Sequence, residues 1–215
     1  NNLKYNERGV LMDLIISAIA QGALWGLLSL GLFISFRVLN IADMTTEGAY
    51  PLGAGVCVIC IHNGVNPVLA TVIAIVAGML AGLVTGFLIT ICKIPSLLAG
   101  ILTMTALLSV NLRIMGRPNL SLLNKETIFS KFQSLNLPTH YDTVLLGFIL
   151  SVIIIGMMSL FFSTELGQSL IATGDNVKMA TALGISTKAM TILGLMLANG
   201  IIALAGAILA QNNGY

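Results

Sequence analysis

Charged side chains are scarce in this sequence. Only 8% of its 215 residues are Asp, Glu, Lys or Arg, whereas 57% are hydrophobic. A soluble domain carries about 25% charged residues, so this chain has too little polar surface for a water-soluble fold. Ten basic and eight acidic residues leave a net charge of only +2, and they are scattered, so no nucleic acid is expected as a partner. The composition indicates an all-α, polytopic membrane protein surrounded by lipid.

Cysteine is also rare, and all three cysteines, Cys57, Cys60 and Cys92, fall in apolar runs. Cys57 and Cys60 form a CxxC pair, which is one half of a common zinc motif. No second pair accompanies it, and His62 is the only other ligand type nearby. We therefore interpret the cysteines as small apolar residues of spanning helices and expect no metal site.

The motifs of several enzyme classes are missing. The sequence has no GxSxG nucleophile elbow, no HExxH zinc motif and no Walker A loop. An intramembrane aspartic protease is the enzyme alternative, with Asp142 and Asp175 as its two acids. However, a predicted span separates them by roughly 30 Å, and a shared-proton dyad needs contact. We expect no catalytic residue, no enzymatic activity and no cofactor bound by this chain.

Apolar runs divide the chain into segments that can cross a bilayer, for which about 20 residues are needed. We predict about six spanning helices, with the second one broken and Pro51 in its first turn. Residues 1–12 are taken as an N-terminal extension that need not be native, and 13–215 as the membrane domain. Ser96, Asp142 and Ser186 are expected to cap helices. The predicted spans are residues 13–36, 48–61, 68–92, 97–115, 142–162 and 188–210.

Three glycines recur at four-residue spacing in the third predicted span: Gly78, Gly82 and Gly86. Such a stripe lies on one helix face and lets another backbone approach closely in lipid, where packing drives association. We predict that it packs against another helix of the same subunit.

Residues 163–187, here called the elbow, form a polar segment between two long apolar runs. Asp175 is a good N-cap, and Gly184 is a good helix end because glycine adopts the left-handed conformation easily. The sequence therefore predicts a short surface helix with Val177, Ala180 and Leu183 on one face. A short helix held between two spanning helices could transmit a push from outside the bilayer.

A second polar segment, residues 37–53, separates the first two apolar runs. Asn40, Asp43, Thr46 and Glu47 recur at three- and four-residue spacing, which would place all four on one face of a helix. Ionisable groups at membrane depth usually face a cavity or a partner. The segment is thus either the break in a pore-lining helix, with these four residues along the translocation path, or a solvated cytoplasmic turn.

Both polar segments resemble one family, the permease subunits of ABC importers in the branched-chain amino acid and ribose branch. The elbow resembles that family's coupling loop through the run Ala172-Thr173-Gly174-Asp175-Asn176, followed by Ala180 and Gly184-Ile185. The second segment resembles the signature of its second helix, and most of all a branch associated with tryptophan or tyrosine uptake. That signature consists here of Asn40-Ile41-Ala42-Asp43, Glu47-Gly48 and Pro51-Leu52-Gly53.

The resemblance implies a function and a set of partners. It implies import of a small solute, such as an aromatic amino acid, by alternating access across the cell membrane of a prokaryote. The implied partners are a pair of ATPase subunits that bind ATP and Mg²⁺, a second permease copy in a homodimer, and an extracellular or periplasmic binding protein. The implied ATPase contact comprises Gly174, Asp175, Asn176, Lys178, Met179, Ala180, Ala182, Leu183 and Gly184.

Two expectations remain open. Family members continue through further membrane segments, so the resemblance implies that the C-terminal part of the family fold is missing here. A secondary transporter or channel without ATP coupling is the alternative function. It would need an ion-coupling pair within the spans, where we find only the neutral Gln21, Asn111 and Asn199.

Overall fold

The computed structural model describes the backbone of residues 2–116, 122, 127 and 141–214, and side chains from residue 14 onward except at 141–143 and 146. The described parts are mostly helical, as predicted. A π-helical turn, Ile34–Val38, extends the first helix. The α-helices are α1 (Asn2–Phe33), α2 (Thr45–His62), α3 (Pro67–Thr90), α4 (Ser96–Met115), α5 (Tyr141–Ser163), α6 (Glu165–Asp175), α7 (Val177–Ala182) and α8 (Thr187–Asn213).

Four of the described segments are long and apolar enough to cross a membrane: Leu14–Val38, α3, α4 and α8. The bent pair formed by α5 and α6 makes a fifth if it is counted as one span. α2 is also 18 residues long but lies mainly inside the bundle. It packs against α3, α4 and α8.

α8 forms the centre of the bundle and packs against α1, α2 and α3. Its buried face is built from small residues, including Ala198, Ala203 and Ala207, with larger apolar residues such as Leu195 and Ile202 between them. Small side chains let helix backbones approach closely, which increases dispersion contact in lipid. α4 lies outside α2, and α5 lies outside α1.

The glycine stripe of α3 lies against α8. A Cβ added to Gly78 would meet Ala203 and the carbonyl oxygen of Asn199, and one added to Gly82 would meet the Leu195 backbone. At Gly86 the nearest atom would be the Cα of Ile192, at 2.9 Å. The two backbones are therefore in direct contact along about two helical turns.

These contacts also show which helix ends lie together. Residues near the end of α3 meet residues near the start of α8, so the two helices run antiparallel. The bundle thus has an elbow end, with the α3–α4 turn and α7, and the 39–44 segment lies between this end and the midpoint of α8. The opposite end holds the α2–α3 turn and the last turn of α8.

Three local predictions need correction. Pro51 lies in the second turn of α2, because the helix starts three residues earlier than expected, at Thr45. Ser96 is the first helical residue after Pro95 rather than a cap, and Ser186 holds the cap position without a side-chain hydrogen bond. Helix α5 starts at Tyr141, and the side chain of Asp142 is outside the described residues.

Candidate functional site: a helix break joined to a bent elbow

The chain between α1 and α2 leaves the helical conformation over residues 39–44. The π-helical turn is closed by the Leu39 N–H, which donates to the Ile34 carbonyl at 3.0 Å, and Ile41 N–H donates to the Ser35 carbonyl at 3.1 Å. Asn40 then takes a left-handed conformation with φ +54°, which asparagine tolerates better than most residues. The break is therefore an ordered turn with its own hydrogen bonds.

Asp43 anchors this break in the middle of the bundle and is completely buried. One carboxylate oxygen accepts from the Thr45 backbone N–H at 2.9 Å, and the other accepts from the Asn199 side-chain amide at 2.9 Å. The carboxylate thus satisfies an orphan donor at the start of α2, where the helix dipole favours negative charge. Asn199 stands at the midpoint of α8, so Asp43 fixes the start of α2 to the central helix.

Hydroxyl groups complete this buried polar cluster. The hydroxyls of Thr45 and Thr85 are 2.7 Å apart, which ties α2 to α3. Thr46 donates to the Asp43 carbonyl at 3.2 Å. The Asn199 amide nitrogen also donates to the Leu195 carbonyl at 3.0 Å, so its orientation is fixed, and its oxygen is buried without a hydrogen bond.

The expected single helical face is wrong. Asn40 and Asp43 are in the irregular segment, whereas Thr46 and Glu47 are in the first turn of α2. Asp43 and Thr46 are buried, and Asn40 and Glu47 are exposed. The spacing failed as a guide because Asp43 is used to start the helix rather than to continue it. A role for the four residues along a path stays a prediction.

The elbow bends sharply as it leaves the bundle. α6 turns by 83° from the end of α5, and Thr164 caps it by accepting from the Gly167 N–H at 3.3 Å. A Cβ at Gly167 would meet the Phe161 carbonyl oxygen, so this close bend needs a residue without a side chain.

The short surface helix α7 follows after one residue. Its cap is Asn176, whose side chain accepts from the N–H groups of Lys178 and Met179, both at 3.1 Å. The expected cap, Asp175, is instead the last residue of α6. Gly184 follows the helix and has φ +82°, so its predicted left-handed conformation is confirmed.

Only Ala180 of the predicted apolar face of α7 is buried. Val177 is 57%, Met179 47% and Leu183 69% exposed. Three apolar side chains are therefore exposed on the outer surface of α7, at the elbow end of the bundle. Apolar residues exposed together in this way are typical of a surface that a partner covers.

The elbow and the helix break are packed against each other. A Cβ at Gly174 of α6 would meet the Val38 carbonyl oxygen and, at 3.1 Å, the Cα of Leu39. The Leu39 side chain lies in a buried cluster with Leu170 and Leu195. Movement of α6 must therefore displace Val38 and Leu39, which are five and four residues before the buried Asp43.

The sequence did not reveal two partners that define this site. Asn199 was recognised as a polar residue deep in a helix, but its pairing with Asp43, 156 residues away, had no local signal. The stacked pair Trp25 and Tyr50, with ring centroids 5.9 Å apart, was also missed. A single tryptophan in the middle of a predicted span was the available hint.

Cys57 and Cys60 lie on α2, and Cys92 follows α3. No group of three or more His, Cys, Asp or Glu side chains that could hold a metal occurs among the described residues. The Cys57 sulfur instead accepts from the Gln211 side-chain amide at 3.1 Å, which ties α2 to α8.

Comparisons with known proteins agree with this architecture. A family model described as "Branched-chain amino acid transport system / permease component" matches residues 14–215. The chain is 39% identical, over 95% of its length and 66% of the relative's, to the tyrosine transport system permease protein of Clostridioides difficile (strain R20291). It is 38% identical, over 95% of its length and 70% of the relative's, to the uncharacterized protein RP368 of Rickettsia prowazekii.

More distant relatives include the autoinducer 2 import system permease protein LsrC of Yersinia pseudotuberculosis, at 27% identity. That match covers 88% of this chain and 52% of LsrC. The chain therefore spans about two thirds of the length of the first two relatives and half of the third. No solved structure matches the chain. The family resemblance of the two polar segments is confirmed, and the chain belongs to the permease-component family of branched-chain amino acid transport systems.

Proposed function

We propose that this chain is the membrane subunit of an ATP-driven importer that depends on a substrate-binding protein. Its family consists of transport components rather than enzymes. The observation that carries the proposal is the elbow: a capped helix, α7, with Val177, Met179 and Leu183 exposed, held between α6 and the central helix α8. An ATPase subunit with a complementary apolar groove would cover these side chains.

The proposed mechanism is alternating access in a homodimer in the cell membrane of a prokaryote. ATP and Mg²⁺ are bound by the two ATPase subunits, and their closure moves both elbows. Because α6 is packed against Val38 and Leu39, the movement reaches the break between α1 and α2. The break is fixed to α8 through Asp43 and Asn199, so α2 and α8 would tilt together and change the side to which the path opens.

The proposed substrate is a small amino acid with an aromatic ring. Support comes from the relative that is named as a tyrosine transport permease and is 39% identical. The binding protein of such a system would deliver the amino acid at the face opposite the elbow.

Uptake of labelled L-tyrosine by intact cells tests this function. Cells that lack the gene should lose most of the uptake, and the native gene should restore it. The variant Leu183→Asp, which places a charge on the exposed apolar surface, should insert normally but fail to restore uptake. Uptake that is unaffected by deletion of the gene would refute the proposed substrate, and full restoration by Leu183→Asp would refute the role of the elbow.

A secondary transporter is the second candidate, because the structure places an ionisable residue, Asp43, in the interior. Such a transporter would use an ion gradient instead of ATP. A protonophore that leaves cellular ATP intact distinguishes the two. Uptake by an ATP-driven importer should continue, whereas uptake coupled to protons should stop.

A further inference from the structure

One side of α1 carries polar groups at membrane depth. The span Leu14–Val38 has Trp25 at its centre. Gln21 lies one helical turn before Trp25, and Ser29 lies one turn after it. All three side chains are exposed. Tryptophan normally lies at the membrane–water interface, where its N–H group can be hydrated. A tryptophan exposed at the middle of a span is therefore out of place against lipid.

The same side of the bundle includes the free face of α2. Tyr50 of α2 stacks on Trp25 with the ring planes 22° apart, and Glu47 precedes Tyr50 by one turn. Glu47 is exposed but does not lie at the end of the bundle: Thr45, two residues before it, is bonded to Thr85, which is five residues, or about 7.5 Å, from the end of α3.

Several of these polar groups have no protein partner. Within the part of the chain that the structure describes, the Gln21 amide, the Trp25 indole N–H and the Glu47 carboxylate make no hydrogen bond or ion pair. Pro51 has no N–H, so the Glu47 carbonyl also lacks its usual donor in the helix. Unsatisfied polar groups cost several kcal/mol each in hydrocarbon and are tolerated where they line a wet cavity.

Among the residues that the structure describes, none fills the space beside Gly22 and Gly26 of α1. A Cβ added to Gly22 or Gly26 would meet nothing within 4 Å, unlike one added to the glycines of α3. The exposed face of α3, by contrast, consists of apolar side chains, such as Val72, Val76 and Leu80. The polar side of α1 and α2 is thus chemically distinct from the exposed surface of α3.

We propose that Gln21, Trp25, Ser29, Glu47 and Tyr50 line the translocation path and bind an amino acid with an aromatic ring. This inference rests on the proposed transport function and locates its path. The substrate ammonium pairs with the Glu47 carboxylate, a charge-assisted contact. The substrate ring lies on the exposed face of Trp25, continuing the stack with Tyr50.

Trp25 provides its own test, since it is the only tryptophan of the chain. The purified protein is placed in nanodiscs, and its tryptophan fluorescence is excited at the red edge, where tyrosine absorbs little. Quenching is measured with acrylamide, which acts from water, and with brominated lipid, which acts from the bilayer. We expect strong quenching by acrylamide, little by brominated lipid, and protection from acrylamide by L-tyrosine.

Ligand analogues test the chemistry of the site. L-Leucine lacks the ring and 3-(4-hydroxyphenyl)propionate lacks the ammonium group, so neither should protect Trp25 as L-tyrosine does. Glu47→Gln should raise the L-tyrosine concentration for half-protection about tenfold or more, the effect of losing a charged hydrogen bond. The control Glu165→Gln removes an exposed carboxylate from the first turn of α6 and should leave that concentration unchanged.

A positive control for lipid exposure is the double variant Trp25→Phe, Phe148→Trp, since Phe148 lies on the outer side of α5 and is exposed. Its tryptophan should be quenched by brominated lipid.

Quenching of wild-type Trp25 by brominated lipid would place it against lipid and overturn the proposal. Absence of quenching by either agent would place it in a dry contact with a second copy or another segment, which also overturns it. Equal protection by leucine and tyrosine would overturn the aromatic class. If the wild-type protein supports no ATP-dependent uptake of L-tyrosine, but L-tyrosine still protects Trp25 from acrylamide, the transport function is refuted and the binding site is not.

Discussion

The contact between the glycine stripe and α8 can be tested by adding a single methyl group. In Gly82→Ala the new Cβ would meet the Leu195 carbonyl oxygen, with the Leu195 carbonyl carbon at 2.7 Å and the Met196 Cα at 2.9 Å. All three are backbone atoms, so no side-chain rotation relieves the clash. The helices must separate until these contacts reach ordinary distances, and overpacking of this kind costs about 1–3 kcal/mol.

The intrinsic preference of the helix acts in the opposite direction, because alanine is favoured over glycine in a helix by about 1 kcal/mol. Gly156→Ala in α5 is the matched control, since its Cβ would meet nothing within 4 Å. We expect Gly156→Ala to preserve or slightly raise the unfolding temperature in detergent. Gly82→Ala should lower it, and Gly82→Leu should lower it further.

Thermal unfolding of the three variants is followed by size-exclusion chromatography after heating, with equal expression as a precondition. If Gly82→Ala and Gly156→Ala unfold at the same temperature as the wild type, α3 and α8 are not in backbone contact. The packing of α3 on the central helix would then be wrong as well, because the stripe supplies the close backbone contacts between these two helices.

Other predictions concern the break and the elbow. Asn199→Leu should destabilise the protein by about 3–5 kcal/mol, because it leaves the buried Asp43 carboxylate with one donor; an unchanged unfolding temperature would contradict the contact. Asn176→Ala should cost about 1 kcal/mol and loosen α7, measurable as faster hydrogen exchange there; unchanged exchange would exclude Asn176 as the cap. Ala180→Asp should impair folding because Ala180 is buried. Ala182→Asp changes an exposed site, so this variant should fold normally and uncouple ATP hydrolysis from uptake. Equal folding of the two variants would contradict the orientation of α7.

Local patterns in the sequence were sufficient for most of the helices. Long apolar runs gave the spanning segments, and the four-residue glycine spacing indicated a face for close packing. Gly184 was identified because a left-handed end has a strong local preference for glycine. These features depend on neighbours within a few residues, so no knowledge of the tertiary structure was needed.

The cap of α7 shows where local reasoning was insufficient. Asp175 and Asn176 are both good caps, and the choice between them depends on where α6 ends. α6 is packed against Val38 and Leu39 through Gly174 and Leu170, and this tertiary contact lets it continue to Asp175. A helix end decided by a distant contact could not be predicted from the sequence.

The same limit applied to the polar break. The spacing of Asn40, Asp43, Thr46 and Glu47 fits a helix, but a buried carboxylate needs donors, and Asp43 obtains them from Thr45 and Asn199. The helix therefore begins after Asp43. Only the fold brings Asn199 to this position, and the exposed side shared by α1 and α2 likewise appears only when the helices are assembled.

The proposed function depends on contact between the elbow and an ATPase subunit, which site-specific photo-crosslinking can detect. A photoreactive amino acid at Met179, exposed on α7, is compared in native membranes with one at Asn63, exposed in the α2–α3 turn at the opposite end. We expect a crosslink from position 179 to the ATPase subunit, altered in yield by ATP, and none from position 63. Crosslinking from position 63, or none from position 179 in cells that transport the substrate, would contradict the proposed contact.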